Sequence, residues 1–241
     1  MARHEQHRRS RPGWPLLLLC SLLGCSATTS SRNVRTAGLV ALIDVTSEQP
    51  EQAVVAAGVV VGGQHSNTHV VLEGGDRLIA SCDGEQHAMT SVGNGSYEAR
   101  FARGDGEFVV GLVRDVDAPA PRSVGRMPVP FEITSNFPDT PISRANDPLT
   151  VSWSPGGTDA EVSIEIEGDC IHSADLQIPG DPGTFVIEPG KLTAWKNQEK
   201  EACNAALRLV QTKKGQADPA LSAHSSVVLR QIRATRFVSG P

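Results

Sequence analysis

Apolar residues in this chain recur at every second position, in short runs broken by glycine and proline. Leu149, Val151 and Trp153 alternate with Thr150, Ser152 and Ser154, and Val162, Ile164 and Ile166 alternate with Glu161, Ser163, Glu165 and Glu167. Successive side chains of an extended strand point to opposite faces, so each run buries one side against a core and wets the other. Tyr97, Ala99 and Phe101 follow the same rule, as do Phe108, Val110 and Leu112. Gly104-Asp105-Gly106 between those two runs predicts a hairpin that makes their strands neighbours. Helical periodicity is scarce. The stretch from Ala194 to Ala206 holds Lys196, Gln198, Glu199, Lys200 and Glu201, all good helix formers, but it follows the turn signal Pro189-Gly190. It reads either as a helix or as a short connecting turn. Strand candidates at roughly eight-to-twelve-residue spacing, with few helices, predict an all-β fold of two β-sandwich domains in tandem.

The first 24 residues have the order of an export leader. Arg3, Arg8, Arg9 and Arg11 form a basic stretch, an apolar run goes from Trp14 to Leu23, and Gly24 precedes Cys25. The apolar run is half of the about 20 residues a membrane-spanning helix needs, so removal of the leader is expected. Leu22-Leu23-Gly24-Cys25 resembles the bacterial lipobox, in which the cysteine thiol receives diacylglycerol before cleavage. That resemblance implies lipidation at Cys25, and Ser26 after it, in place of aspartate, implies the outer membrane by the sorting behaviour of lipoproteins. Two or more acyl chains anchor a protein stably, where one does so only marginally. Residues 25–35 are polar and without period, and are expected to form a lipidated flexible tether. Asp115 to Pro130 carries four prolines and no period, which places a boundary between an N-terminal domain at 36–126 and a C-terminal domain at 127–241.

The chain carries a net charge of −5, and the leader takes more basic than acidic groups with it. An acidic body is a poor partner for nucleic acid, whose binding is dominated by phosphate contacts. Cys20 leaves with the leader and Cys25 is the acylation candidate, which leaves Cys82, Cys170 and Cys203. Cys170 is in phase with the inward residues of the Val162 strand, and Cys203 with Ala205, Leu207 and Leu209. Two inward cysteines in one exported sandwich predict a Cys170–Cys203 disulfide. Closing a loop of about 34 residues contributes roughly 3 to 4 kcal/mol in the chain-entropy account. Cys82 is in phase with Leu78 and Ala80, and is expected to be buried as a small hydrophobe.

Several residue groups invite chemistry and are better explained without it. His65 and His69, with Cys82 and His87, suggest zinc, but on an extended segment residues four apart lie about 13 Å from each other, far beyond a shared metal. Glu165 and Glu167 share a strand face and read as solvated charges, as do Arg230, Arg233 and Arg236, which read as a charged edge. Asp115 and Asp117 are too few for a calcium loop. Arg103-Gly104-Asp105 is a tripeptide that recurs by chance. The mature chain has no nucleophile-elbow, P-loop or dinucleotide fingerprint, so no catalytic residue and no cofactor are assigned.

Taken along its length, the chain resembles a group of Gram-negative bacterial lipoproteins, without assigned chemistry, that pair two immunoglobulin-like or fibronectin-type β-domains. The resemblance lies in Ser66-Asn67-Thr68, Gly74-Gly75-Asp76 and Pro130-Phe131-Glu132-Ile133-Thr134. It continues in Ser143-Arg144-Ala145-Asn146-Asp147, Val151-Ser152-Trp153-Ser154-Pro155, Gly168-Asp169-Cys170 and Gly180-Asp181-Pro182-Gly183-Thr184-Phe185. It implies immunoglobulin-like sandwiches, although Trp153 precedes both Cys170 and Cys203, unlike the antibody order. The expected function is that of an envelope lipoprotein, held to the membrane by the acyl chains on Cys25. Its body is a non-catalytic binding, adhesion or scaffolding module for an envelope protein or glycan. The competing expectation is an envelope hydrolase whose residues converge only in space, and a pocket gathering Asp169, His172 and a serine is its mark.

Overall fold

The computed structural model describes residues 27–62, 66 and 68–241, so Cys25 and its lipidation, and His65 of the histidine group, lie outside the described residues. Strands carry nearly all of the regular structure. The N-terminal half holds β1 (Ala27–Ser30), β2 (Leu39–Gln49), β3 (Gln52–Val61), β4 (Thr68–Val71), β5 (Arg77–Cys82), β6 (Glu85–Ala88), β7 (Thr90–Gly93), β8 (Ser96–Phe101), β9 (Glu107–Val113) and β10 (Ala120–Arg126). The C-terminal half holds β11 (Glu132–Ile133), β12 (Ile142–Ser143), β13 (Leu149–Ser154), β14 (Glu161–Gly168), β15 (Ile171–Ile178), β16 (Thr184–Ile187), β17 (Cys203–Lys214) and β18 (Ser226–Gly240). The all-β expectation is met, and β8, β9, β13 and β14 fall on the alternating runs.

One large sheet runs in the order β1-β4-β3-β2-β18-β17-β14-β15 and serves both halves. A four-stranded sheet, β10-β9-β5-β6, covers its N-terminal part, and a three-stranded sheet, β11-β13-β16, covers its C-terminal part. Two cores result. The first gathers Ile43, Val55, Ala80, Phe108 and Val110, and the second gathers Val151, Trp153, Ile164, Leu207 and Phe237.

The 15-residue β18 joins them. Residues 226–231 pair in parallel with β2, while the strand from 228 to 239 pairs antiparallel with β17. Val227 and Leu229 therefore sit in the first core and Phe237 in the second. Met127 packs in the first core and Phe131 in the second, so the change of core falls between these two residues, while β18 belongs to both sandwiches. The proline-rich stretch also differs from its reading, since its middle forms β10 against β9.

A belt of buried polar groups marks the seam. Gln211 and Gln231, paired across β17 and β18, are fully buried. Gln231 donates to the Gly104 carbonyl at 2.6 Å, and Gln211 donates to Asp181 at 3.3 Å, so each tie reaches a different sandwich. Arg233 donates to the carbonyls of Phe131 (3.0 Å) and Ser47 (3.2 Å) and to the Gln231 side chain (2.8 Å), with its guanidinium over the Phe131 ring. Burial pushes this guanidinium below its ordinary value. The charged-edge reading of Arg230, Arg233 and Arg236 is thus corrected: β18 lies inside the sheet, Arg233 is buried, and Arg230 pairs with Asp44.

Two further expectations change. Gly104-Asp105-Gly106 is not a hairpin, because β8 joins the large sheet beside β3 while β9 joins the small one beside β5. The turn crosses between layers, and Phe101 and Phe108 meet edge to face across the core, 5.3 Å apart. The segment expected as a tether is docked from residue 27 onward: β1 pairs with β4, and Ser31 is fully buried. The cause is Arg114, whose buried guanidinium pairs with Asp76 at 2.9 Å and donates to the carbonyls of Ser31 (2.8 Å) and Val34 (3.0 Å). A buried cation needs acceptors, and this backbone supplies them. The Thr36 amide donates to Asp117 at 2.7 Å, which holds that carboxyl below its usual range and completes the attachment.

Candidate functional site

The end of the second sandwich, where β14 turns into β15 and β17 begins, carries a cleft of about 500 Å³. Strand register builds its base. Glu167 of β14 stands opposite Ala206 of β17, and Ala206 opposite Arg236 of β18, so these three form one row on the outer face of the large sheet. Asp169, Ser173 and Asn204 add polar groups around that row, and Trp195 walls the end. The floor is made of small residues. At Gly168 an added Cβ would lie 3.1 Å from Ile171 and 3.2 Å from the Asn204 carbonyl.

The wall is braced. Cys170 and Cys203, the chain neighbours of Asp169 and Asn204, form the expected disulfide, with Cα atoms 5.8 Å apart. The Trp195 amide donates to the Cys170 carbonyl at 3.1 Å, and the His172 amide donates to Thr193 at 2.9 Å. The loop from Trp195 to Glu201 consists of turns, so the helical alternative for Ala194 to Ala206 is not realised. Its far end is fixed by Arg144, which is buried and donates to the carbonyls of Glu199 (3.1 Å) and Glu201 (2.9 Å) and to Ser239 (3.2 Å). Hydrogen bonds from a charged donor contribute about 1.5–3 kcal/mol each, so the loop is held in one shape.

Trp195 itself remains 46% exposed. The His172 ring lies against it, with centroids 3.8 Å apart and planes tilted by 46°. This contact sets the His172 ring against the tryptophan wall. Asp169 and Ser173 do line the same cleft. Glu167, which the sequence placed on a solvated face, is part of the cleft, whereas Glu165 pairs with Arg208 at 3.7 Å. Sequence reasoning missed Trp195 and Arg144 as site residues. The available signal was a large aromatic standing alone among Lys191, Lys196, Glu199 and Lys200.

The remaining candidates stay apart. Among the described residues no group of three or more histidine, cysteine or acidic side chains is placed to hold a metal. His87 pairs with Glu85 at 2.6 Å and packs on Phe101. Cys82 is free and buried, and its thiol is pushed up to about 11, chiefly by burial and then by Asp83. Asp115 accepts the Gly75 amide at 2.7 Å, and Arg103 is paired with Asp83 and Asp105. A groove of about 550 Å³ on the N-terminal half runs past Glu51, Glu85 and Arg100, but its aromatic residue, Phe101, is buried.

No protein-family model and no curated protein matches the chain. Among solved structures, it is similar to a chain described as "Cytokine receptor complex - Crystal form 1A", with 10% identity, a TM-score of 0.30, and coverage of 83% of this chain and 96% of that one. It is also similar to a two fibronectin type-III domain segment from chicken tenascin, with 11% identity, a TM-score of 0.25, and coverage of 83% and 97%.

Proposed function

We propose that this chain is an exported lipoprotein, cleaved after Gly24 and acylated at Cys25, whose sheet body is a non-catalytic binding module at the outer membrane. The observation that supports the binding reading is the braced cleft beside Trp195. Folding ordinarily hides a tryptophan, which buries 150–250 Å² when covered. Here a disulfide and a buried arginine hold one half out of contact, next to a concave surface with polar groups of several kinds. A pre-formed concave site with a few convergent polar groups is what a ligand-binding surface requires.

Leader and lipobox support the address. Cys25 stands two positions before Ala27, where β1 begins. At about 3.5 Å per extended residue, the acyl chains would hold the N-terminal sandwich within roughly 7 Å of the bilayer, with no spacer. Mass spectrometry of the native protein tests this part: an N-terminal peptide starting at acylated Cys25 is expected, and an unmodified Cys25 with its leader retained would overturn it. Pull-down of envelope proteins and glycans by the wild-type chain and by Trp195→Ala tests the other part. Retention of a partner by the wild type alone is expected. Equal retention by both moves the binding surface elsewhere.

A second reading has its own support. Glu167 and Asp169 line one cleft, and a pair of carboxylates is the equipment of glycoside hydrolysis. Release of reducing ends from a bound oligosaccharide, abolished by Glu167→Gln or Asp169→Asn, would favour a hydrolase over a binding module.

A further inference from the structure

We infer that the occupant of the Trp195 cleft is a neutral oligosaccharide, with one sugar ring lying on the indole and its hydroxyls met by Glu167, Asp169, Ser173, Asn204 and Arg236. This rests on the binding reading above and names the ligand class for that site. Its groups are mixed: two carboxylates that accept, one guanidinium that donates, and a hydroxyl and an amide that do both. Beside them stands an exposed indole in contact with the His172 ring.

A sugar ring has the matching distribution. Its axial C–H groups form an apolar face that packs on an aromatic surface, and its hydroxyls, each donor and acceptor, ring the edge. Other classes match less of the surface. A polyphosphate or nucleic acid would meet Glu167 and Asp169 at the centre of the site, on a chain already acidic. A lipid tail or apolar peptide would cover two carboxylates and a guanidinium without offering them partners. A small organic cation would suit the indole and the carboxylates but would face Arg236 in the same row.

The location favours a chain over a single sugar. Away from the Trp195 wall the cleft is open along the outer face of the sheet, with the edge strand β15 on one side of it, so a ligand can extend beyond the ring that meets the indole. The Gly168 and Ala206 floor leaves room for a ring to sit close to the sheet. Because the wall is braced, binding orders little new structure, and affinity rests on stacking and hydrogen bonds formed at a ready surface.

The test is titration of the purified full-length chain with chitotriose, cellotriose and maltotriose up to about 10 mM, followed by tryptophan fluorescence. The wild type minus Trp195→Ala difference isolates the exposed indole from the buried Trp153 and from Trp14 of the leader. A saturable change is expected with at least one trisaccharide, lost in Trp195→Ala and weakened about tenfold or more in Asp169→Asn, with all variants retaining the wild-type far-ultraviolet spectrum. Choline chloride and trigalacturonate serve as the cationic and anionic arms, and tighter binding of either than of every neutral sugar overturns the assignment. Binding of a sugar unchanged in Trp195→Ala overturns it as well. If no sugar binds while the pull-down still yields a Trp195-dependent protein, the saccharide assignment falls and the binding-module reading stands. If sugars bind with full Trp195 dependence, the ligand class holds whatever the state of Cys25.

Discussion

Single side chains in this protein show how far burial can be read ahead of structure. Cys82 was legible: its phase with Leu78 and Ala80 put it inside, and it is 1% exposed with its thiol facing the Asp105 carbonyl at 3.5 Å. Its pKa, raised from 9.0 to about 11, has a consequence for stability. The unfolded thiol ionises first as pH rises, whereas the folded one holds its proton, so the stabilisation is complete below pH 9.0 and is lost as pH climbs toward about 11. Urea unfolding between pH 8 and about 11 should show a steeper decline for the wild type than for Cys82→Ala, and parallel declines would refute the shift. Arg114, Arg144 and Arg233 were not legible. Each donates to carbonyls 55 to 186 positions away in the chain, the farthest being Ser47 for Arg233, and no local pattern encodes such a partner. Trp195 was missed for the same reason, since its wall exists only where His172 and the disulfide bring remote segments together.

Elements were legible in kind and less so in partnership. Alternation located β8, β9, β13 and β14, because side-chain period reports only that a strand has one buried face. It carries no label for the sheet a strand will join, which is why Gly104-Asp105-Gly106 read as a hairpin and instead passes from one layer to the other. Residues 25–35 read as a tether since their composition is that of a linker, and from Ala27 onward they are held by a buried ion pair that composition cannot display. The loop between β16 and β17 depends on the Cys170–Cys203 bridge. Replacing both cysteines with alanine should lower stability by about 3 kcal/mol. The same change should raise amide exchange from Trp195 to Glu201 more than in β2 or β3, as measured by mass spectrometry. Uniform exchange across the chain would place the bridge's effect elsewhere.

At the level of the whole molecule, two sandwiches were legible and their union was not. Each core has its own set of inward residues, so counting strands and turns suggests two independent bodies. The shared β18, with Val227 and Leu229 in one core and Phe237 in the other, makes them one sheet. A fragment comprising residues 27–126 should therefore fail to fold alone, showing a disordered circular-dichroism spectrum, while the chain through residue 241 should melt in a single transition. A folded fragment or two separate transitions would contradict the union.

That arrangement also fixes the timing of assembly. A polypeptide delivered N-terminus first must keep β2 without its parallel neighbour, and the first hydrophobic layer unsealed, until its last 15-residue strand arrives. Closure of the first sandwich thus waits for β18, the strand most distant in sequence from the β2 it completes.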